Sequence, residues 1–162
     1  MTVELAAVTD DHKAVLANLL QFYCYDFSEF DGEELTLHGT FVYRYLDHYF
    51  TDDGREACLI TADGQLAGFT MTRRLDDGAR SVAEFFVVRR HRRLGVGRAA
   101  AHQLLRRHPG PWQLSFQHAN QAAARFWPGV VAAIAEGPVQ SIDARPPEVT
   151  HPEVTLRFRV PR

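Results

Sequence analysis

The chain has 162 residues, 46% hydrophobic and 23% charged, with a formal net charge of −2. That length suits one domain with a real core, and the composition is that of an ordinary soluble globular protein. No run approaches 18 apolar residues, and the opening Met1 to Glu4 lacks a basic stretch followed by an apolar one, so neither a membrane span nor an export signal is expected.

In chain order, Val3 to Val8 reads as a short strand, and Thr9-Asp10-Asp11 supplies N-cap residues for a helix to about Tyr25. Val15, Leu16, Leu19, Leu20 and Tyr23 form its apolar stripe, and the turn formers after Asp26 are expected to end it. The spacing of Phe41, Val42, Tyr45, Leu46 and Tyr49 predicts a second amphipathic helix from Leu37 to Phe50. Strands are expected at Glu56 to Thr61 and Gln65 to Thr72, joined by a tight Ala62-Asp63-Gly64 turn. The apolar run Val82 to Val88 gives a further strand, and Arg98 to Arg107, free of Gly and Pro, gives a helix. Trp112 to Gln117 reads as the next strand, followed by a helix from Gln121 to about Ile134 that Pro128-Gly129 should kink or shorten. Strands near Val139 to Ile142 and Val154 to Val160 complete the chain, with an irregular connection at Pro146-Pro147.

Charge is unevenly placed. Residues 1–63 hold 13 Asp/Glu against Lys13, Arg44 and Arg55, whereas residues 73–107 hold ten of the 18 basic residues. This division suits a cationic substrate on one side and an anionic cofactor on the other, and it suits two solvated surfaces nearly as well. Cys24 and Cys58 are isolated and read more plainly as free thiols in a reducing cytoplasm than as a disulfide. The eight histidines show no metal-ligand spacing. Nucleic-acid binding through Arg89-Arg90-His91-Arg92-Arg93 is disfavoured, because the rest of the chain is acidic and no helix-turn-helix or stacking pattern accompanies the run.

The most informative stretch lies between the strand at 82–88 and the following helix: Arg92-Arg93-Leu94-Gly95-Val96-Gly97. A helix N-terminus presents unpaired amides and partial positive charge, and glycines let a diphosphate approach them. The dinucleotide fingerprint would need a third glycine where Ala100 stands and a carboxylate after the next strand, where His118-Ala119-Asn120 follows instead. A P-loop would need a Gly-Lys pair, which is missing here.

The remaining pattern, Arg-x-x-Gly-x-Gly behind Phe85-Phe86-Val87 and before a helix, resembles the acyl-CoA signature of the GCN5-related N-acetyltransferase (GNAT) superfamily. The predicted order β-α-α-β-β-β-α-β-α-β-β is similar to that family over nearly the whole chain. The resemblance implies an α+β fold: a mixed sheet of about seven strands, about four helices and a splay between strands 4 and 5, within one domain over residues 1–162. It implies acetyl-CoA as acyl donor, with Phe85 and Val87 pairing through their backbones with the pantetheine arm. Arg92, Arg93, Leu94, Gly95, Val96, Gly97 and Arg98 would hold the pyrophosphate, and Asn120 with Ala123 and Phe126 matches the family's second signature. At that signature's last position Trp127 replaces the usual general-acid tyrosine, and an indole N–H is no useful acid.

Glu84, an acidic residue in an apolar strand beside the implied thioester, is the candidate general base. Alternation places it with Phe86 and Val88, opposite Phe85 and Val87, and leaves open whether it faces the cleft. Tyr23, Tyr25, Asp26, Tyr43, Asp47 and His118 are weaker candidates on the acceptor side. The expected activity is transfer of acetyl to a small, cationic amine or an exposed amino group; the alternative is an idle acyl-CoA-binding domain of the same fold. Neither a nucleic acid nor a membrane is an expected partner, and a homodimer is compatible with the resemblance.

Overall fold

The computed structural model describes residues 1–145, 147 and 151–162; the expected connection at Pro146-Pro147 lies partly outside the described residues. One seven-stranded sheet runs through the molecule in the order β1-β2-β3-β4-β5-β7-β6. Its strands are β1 (Val3–Ala7), β2 (Arg55–Ala62), β3 (Gln65–Arg74), β4 (Arg80–Val87), β5 (Gly110–Gln117), β6 (Gln140–Ala144) and β7 (Glu153–Val160). Neighbours are antiparallel except β4 and β5, which are parallel because α3 (Val96–Arg106) crosses over between them. With α1 (Lys13–Asp31), α2 (His48–Thr51) and α4 (Gln121–Ile134), the architecture is the seven-strand, four-helix arrangement that the resemblance implies.

Two apolar layers sandwich the sheet. On one face the α1 stripe of Leu16, Leu19 and Leu20 joins Tyr49 of α2 against Leu59, Phe69, Met71 and Phe86. On the other, Val96, Ala100 and Leu104 of α3 and Trp127, Val130 and Val131 of α4 cover Ile60, Val87, Trp112, Leu114 and Phe158. These helical positions recur at intervals of three and four, as a core-facing stripe requires. Among the described residues no helix is long and apolar enough to cross a membrane.

Three expectations need correction. α1 does not stop at Tyr25 but runs to Asp31, where Gly32 at φ 72° closes it by donating to the Ser28 carbonyl. The turn formers are tolerated because Phe27 and Phe30 extend the aromatic stripe, with ring centroids 5.2 Å (Tyr23–Phe27) and 5.8 Å (Phe27–Phe30) apart. The predicted helix from Leu37 to Phe50 is only α2, His48–Thr51. Upstream, side chains satisfy the backbone instead of a helix. Gln21 on α1 bonds both the N–H (2.8 Å) and the carbonyl (2.9 Å) of Phe41, and the Thr36 hydroxyl accepts from the amides of His38 and Thr40, both at 3.3 Å. Finally, α4 runs unbroken through Pro128. Pro128 is exposed, so the Ala124 carbonyl that loses its usual donor can turn toward water.

Candidate active site

The site is a gap in the sheet. β4 and β5 pair only from Arg80 to Val82 and from Trp112 to Leu114, although both strands continue to Val87 and Gln117. The ladder stops where β4 bulges: Glu84 pairs with Met71 of β3 but Val82 pairs with Thr72, which leaves Ala83 as the extra residue. A bulge bends its strand, and here it turns β4 away from β5. Beyond it, the Val88 N–H donates to Ala67 of β3 at 2.8 Å, so by strand alternation the peptide groups of Phe85 and Val87 point away from β3 and into the gap. On the β3 side, Gly68 allows the two strands to close: a Cβ there would lie 1.9 Å from the Phe86 carbonyl oxygen.

At the end of the gap the chain turns into α3. Arg93 at φ 61° and Gly95 at φ 84° take left-handed conformations that aim the turn onto the helix, and a glycine carries this cheaply. The first intrahelical bond is Ala99 N–H to the Gly95 carbonyl at 3.0 Å, so the amides of Val96, Gly97 and Arg98 are those a helix start leaves unpaired. Arg93 and Arg98 are exposed beside them. Gly97 differs from its expected role of clearing space for phosphate. A Cβ there would point away from the turn, 3.4 and 3.5 Å from the Phe126 ring and 3.7 Å from Val87. The missing side chain lets α4 and β4 pack against α3.

Arg92 points inward. Its Nε donates to the Val87 carbonyl at 2.6 Å, its Nη2 pairs with Asp26 of α1, and its guanidinium lies 5.5 Å from the centre of the Phe86 ring. The Val87 carbonyl is thereby occupied while its N–H still faces the gap. Arg89 reaches Asp26 from solvent at 2.8 Å. Burial works to raise the Asp26 pKa, but hydrogen bonds and charge from Arg92 and Arg89 together hold it below the usual carboxylate value. Arg92→Ala strips the Val87 carbonyl and Asp26 of a donor, and a charged hydrogen bond is worth on the order of 1–2 kcal/mol at such a half-exposed position. The expected result is a Tm lower by about 3–6 °C, measured by thermal melts. Arg89→Ala, three-quarters exposed, is expected to change it far less.

Glu84 lies on the α1 face of β4 and opens into the gap. The Tyr43 hydroxyl donates to its Oε1 at 3.3 Å, and the Tyr23 hydroxyl also favours its charged form. Burial raises the Glu84 pKa to about 7, while those two hydroxyls work to lower it. Both tyrosine pKa values are raised, first by burial and then by the Glu84 charge. This trio is the part of the site that the sequence did not reveal as a unit. Tyr23 and Tyr43 were separate, weaker candidates, and no local signal ties α1 or the 32–47 segment to a glutamate on β4.

The cleft walls are Tyr23 and Phe27 of α1, Val82 to Phe85 of β4, Leu114 to Phe116 of β5, and Asn120, Ala123 and Trp127 of α4. The Asn120 Oδ1 caps α4 by accepting from the Ala123 N–H at 3.1 Å. Trp127 is buried, its ring 5.1 Å from Phe85 and 4.9 Å from Phe126. It closes the wall without offering an acid. The other acceptor-side candidates lie elsewhere: Asp47 pairs with Lys13 at 2.6 Å, His118 with Asp143 at 2.8 Å, and Tyr25 is exposed.

The geometry has many counterparts. An acetyltransferase from Thermus thermophilus superposes with a TM-score of 0.70 at 18% identity, covering 99% of this chain and 97% of the other. An aminoglycoside acetyltransferase in complex with coenzyme A gives 0.67 at 15% identity, covering 98% and 95%. A ribosomal-protein alanine N-acetyltransferase from Escherichia coli gives 0.61 at 12% identity, covering 99% and 96%. No curated protein matches the sequence. The sequence model of the acetyltransferase (GNAT) family matches residues 18–128, from α1 through the gap, the α3 turn and most of α4. The chain belongs to the GNAT family of acetyltransferases.

Proposed function

We propose that this chain is an acetyl-CoA-dependent N-acetyltransferase acting on a primary amine of a small, cationic molecule. The observation that carries the reading is the unpaired gap between β4 and β5, with the backbone of Phe85 and Val87 facing into it and the amides of an α-helix start at its end. These groups fit the two parts of an acyl-CoA: an extended arm with amides and an anionic diphosphate. The bound donor supplies an electrophilic thioester carbon.

The chain's own groups then have distinct tasks. The Val87 N–H is placed to hold a carbonyl oxygen, because its own carbonyl is already occupied by Arg92. The amides of Leu94 to Arg98, with Arg93 and Arg98, hold the diphosphate. Asn120 fixes the start of α4 along the cleft. Glu84 takes a proton from the attacking amine, and a carboxyl poised near neutrality suits that task. An intact base in the cleft favours an active enzyme over an idle binding domain, despite Trp127. The exposed Glu29, Glu33 and Glu34 at the end of α1, beside the exposed Tyr25, favour a cationic acceptor. Asp26 and Asp47 add little to that field because basic partners occupy them.

Thermal melting with acetyl-CoA tests the cofactor assignment. A ligand that binds only the folded chain stabilises it by mass action, so Tm should rise by about 5 °C or more at saturating acetyl-CoA and little with NAD. A flat response at millimolar acetyl-CoA contradicts the reading.

A further inference from the structure

We propose that Glu84 is also the acid of the reaction, returning to sulfur the proton it has taken from the amine. The proposal rests on the acetyl-CoA reading above and extends it to the step that Trp127 leaves without a donor. Among the described residues lining the cleft, three side chains carry a hydroxyl or carboxyl: Tyr23, Ser115 and Glu84. Ser115 already shares a hydrogen bond of 2.7 Å with Thr155 on β7 and is exposed. Burial makes the Tyr23 hydroxyl a weaker acid than a free phenol, and the Glu84 charge weakens it further. The other side chains of the wall are hydrocarbon or, at Trp127, an indole, and offer no acid, while Asn120 uses its side-chain oxygen to cap α4.

The groups around Glu84 favour a reversible proton. From α1 come Tyr23 and Cys24, from the segment before β2 come Tyr43 and Tyr49, and from β3 comes the uncharged Met71. None is a cation in contact with the carboxylate, so nothing locks it in the ionised form. The Tyr43 hydroxyl holds it in place in either state.

The balance is complete without another reactant. The neutral amine nitrogen forms the C–N bond and gives one proton to a Glu84 oxygen. The C–S bond breaks with its electron pair remaining on sulfur, and Glu84 passes the same proton to that sulfur. The products are an amide, a thiol and a Glu84 carboxylate ready for the next turnover.

Binding alone tests this. Calorimetry at pH 7 in two buffers of different ionisation enthalpy measures proton uptake when coenzyme A or desulfo-coenzyme A binds. If Glu84 sits within reach of sulfur, the thiol donates to the carboxylate and keeps it ionised. Proton uptake is then smaller with coenzyme A than with the desulfo analogue, and the difference vanishes in Glu84→Gln. Equal uptake from the two ligands in the unaltered protein overturns the proposal, whereas failure of both to bind overturns the acetyl-CoA reading itself. Tyr23→Phe gives a second readout. Losing a hydroxyl that favours the carboxylate should move the rising limb of the pH–rate profile to higher pH with less than about tenfold loss of turnover. A tenfold or larger loss with an unmoved limb makes Tyr23 the acid and overturns the proposal.

Discussion

Glu84→Gln is expected to lower kcat by about 10²-fold or more while leaving acetyl-CoA affinity within about twofold, because a neutral amide can take no proton from the amine. The same substitution should not cost stability at alkaline pH. Burial raises the Glu84 pKa to about 7 in the folded chain, well above the about 4.3 of an exposed glutamate. A carboxyl whose folded pKa is raised contributes its stability in full below the unfolded value and loses it as pH climbs through the folded one. Between about pH 4 and pH 7 the unaltered protein therefore loses up to about 3 kcal/mol from this group alone. The glutamine variant has no such loss and should melt at the same temperature or higher at pH 8. Steady-state kinetics beside melts at pH 5 and pH 8 check both halves. Unchanged turnover returns Glu84 to a purely structural role.

Gly97→Val is expected to weaken acetyl-CoA binding by about 10- to 100-fold and to lower Tm. The cause lies in helix packing. The position of a Cβ at residue 97 already contacts Phe126 and Val87, and the two valine methyls would have to displace α4 or β4. Overpacking of this kind costs about 1–3 kcal/mol, and a similar cost at the seat corresponds to one or two decades in Kd. Gly97→Ala separates packing from phosphate access. Its single methyl fits at ordinary contact distance, and alanine favours a helix over glycine by about 1 kcal/mol, so its Tm should hold or rise. Calorimetry with both variants decides the point, and normal binding by Gly97→Val places the phosphate seat elsewhere.

The parts of this fold legible in the sequence are those governed by local rules. Alternation in Val154 to Val160, the tight turn at Asp63-Gly64 and the apolar run through Phe86 each announce a strand, and the structure has strands there. The helix start after Gly95 was legible because Gly-x-Gly behind a strand has few other uses. The second helix failed because its apolar residues keep a helical spacing while Gln21, twenty residues away, takes both backbone groups of Phe41. The β4 bulge was not legible for a similar reason. Nothing within Val82 to Val88 marks Ala83 as the extra residue, since the mismatch arises only in pairing with Met71 and Thr72. The face occupied by Glu84 followed from alternation, but its tyrosine partners and its opening into the cleft depend on where α1 and the 32–47 segment come to rest.

Acetyl transfer at the β4–β5 gap is measured as product formation. Purified protein, acetyl-CoA and a panel of small amines, followed by thiol release and by mass spectrometry of the acceptors, should give acetylated product with a cationic amine. The rate should rise with pH through about 7 as Glu84 ionises. Acetyl-CoA that binds but yields no acetylated amine at any pH would rule out transfer at this gap and leave an acyl-CoA-binding domain without turnover.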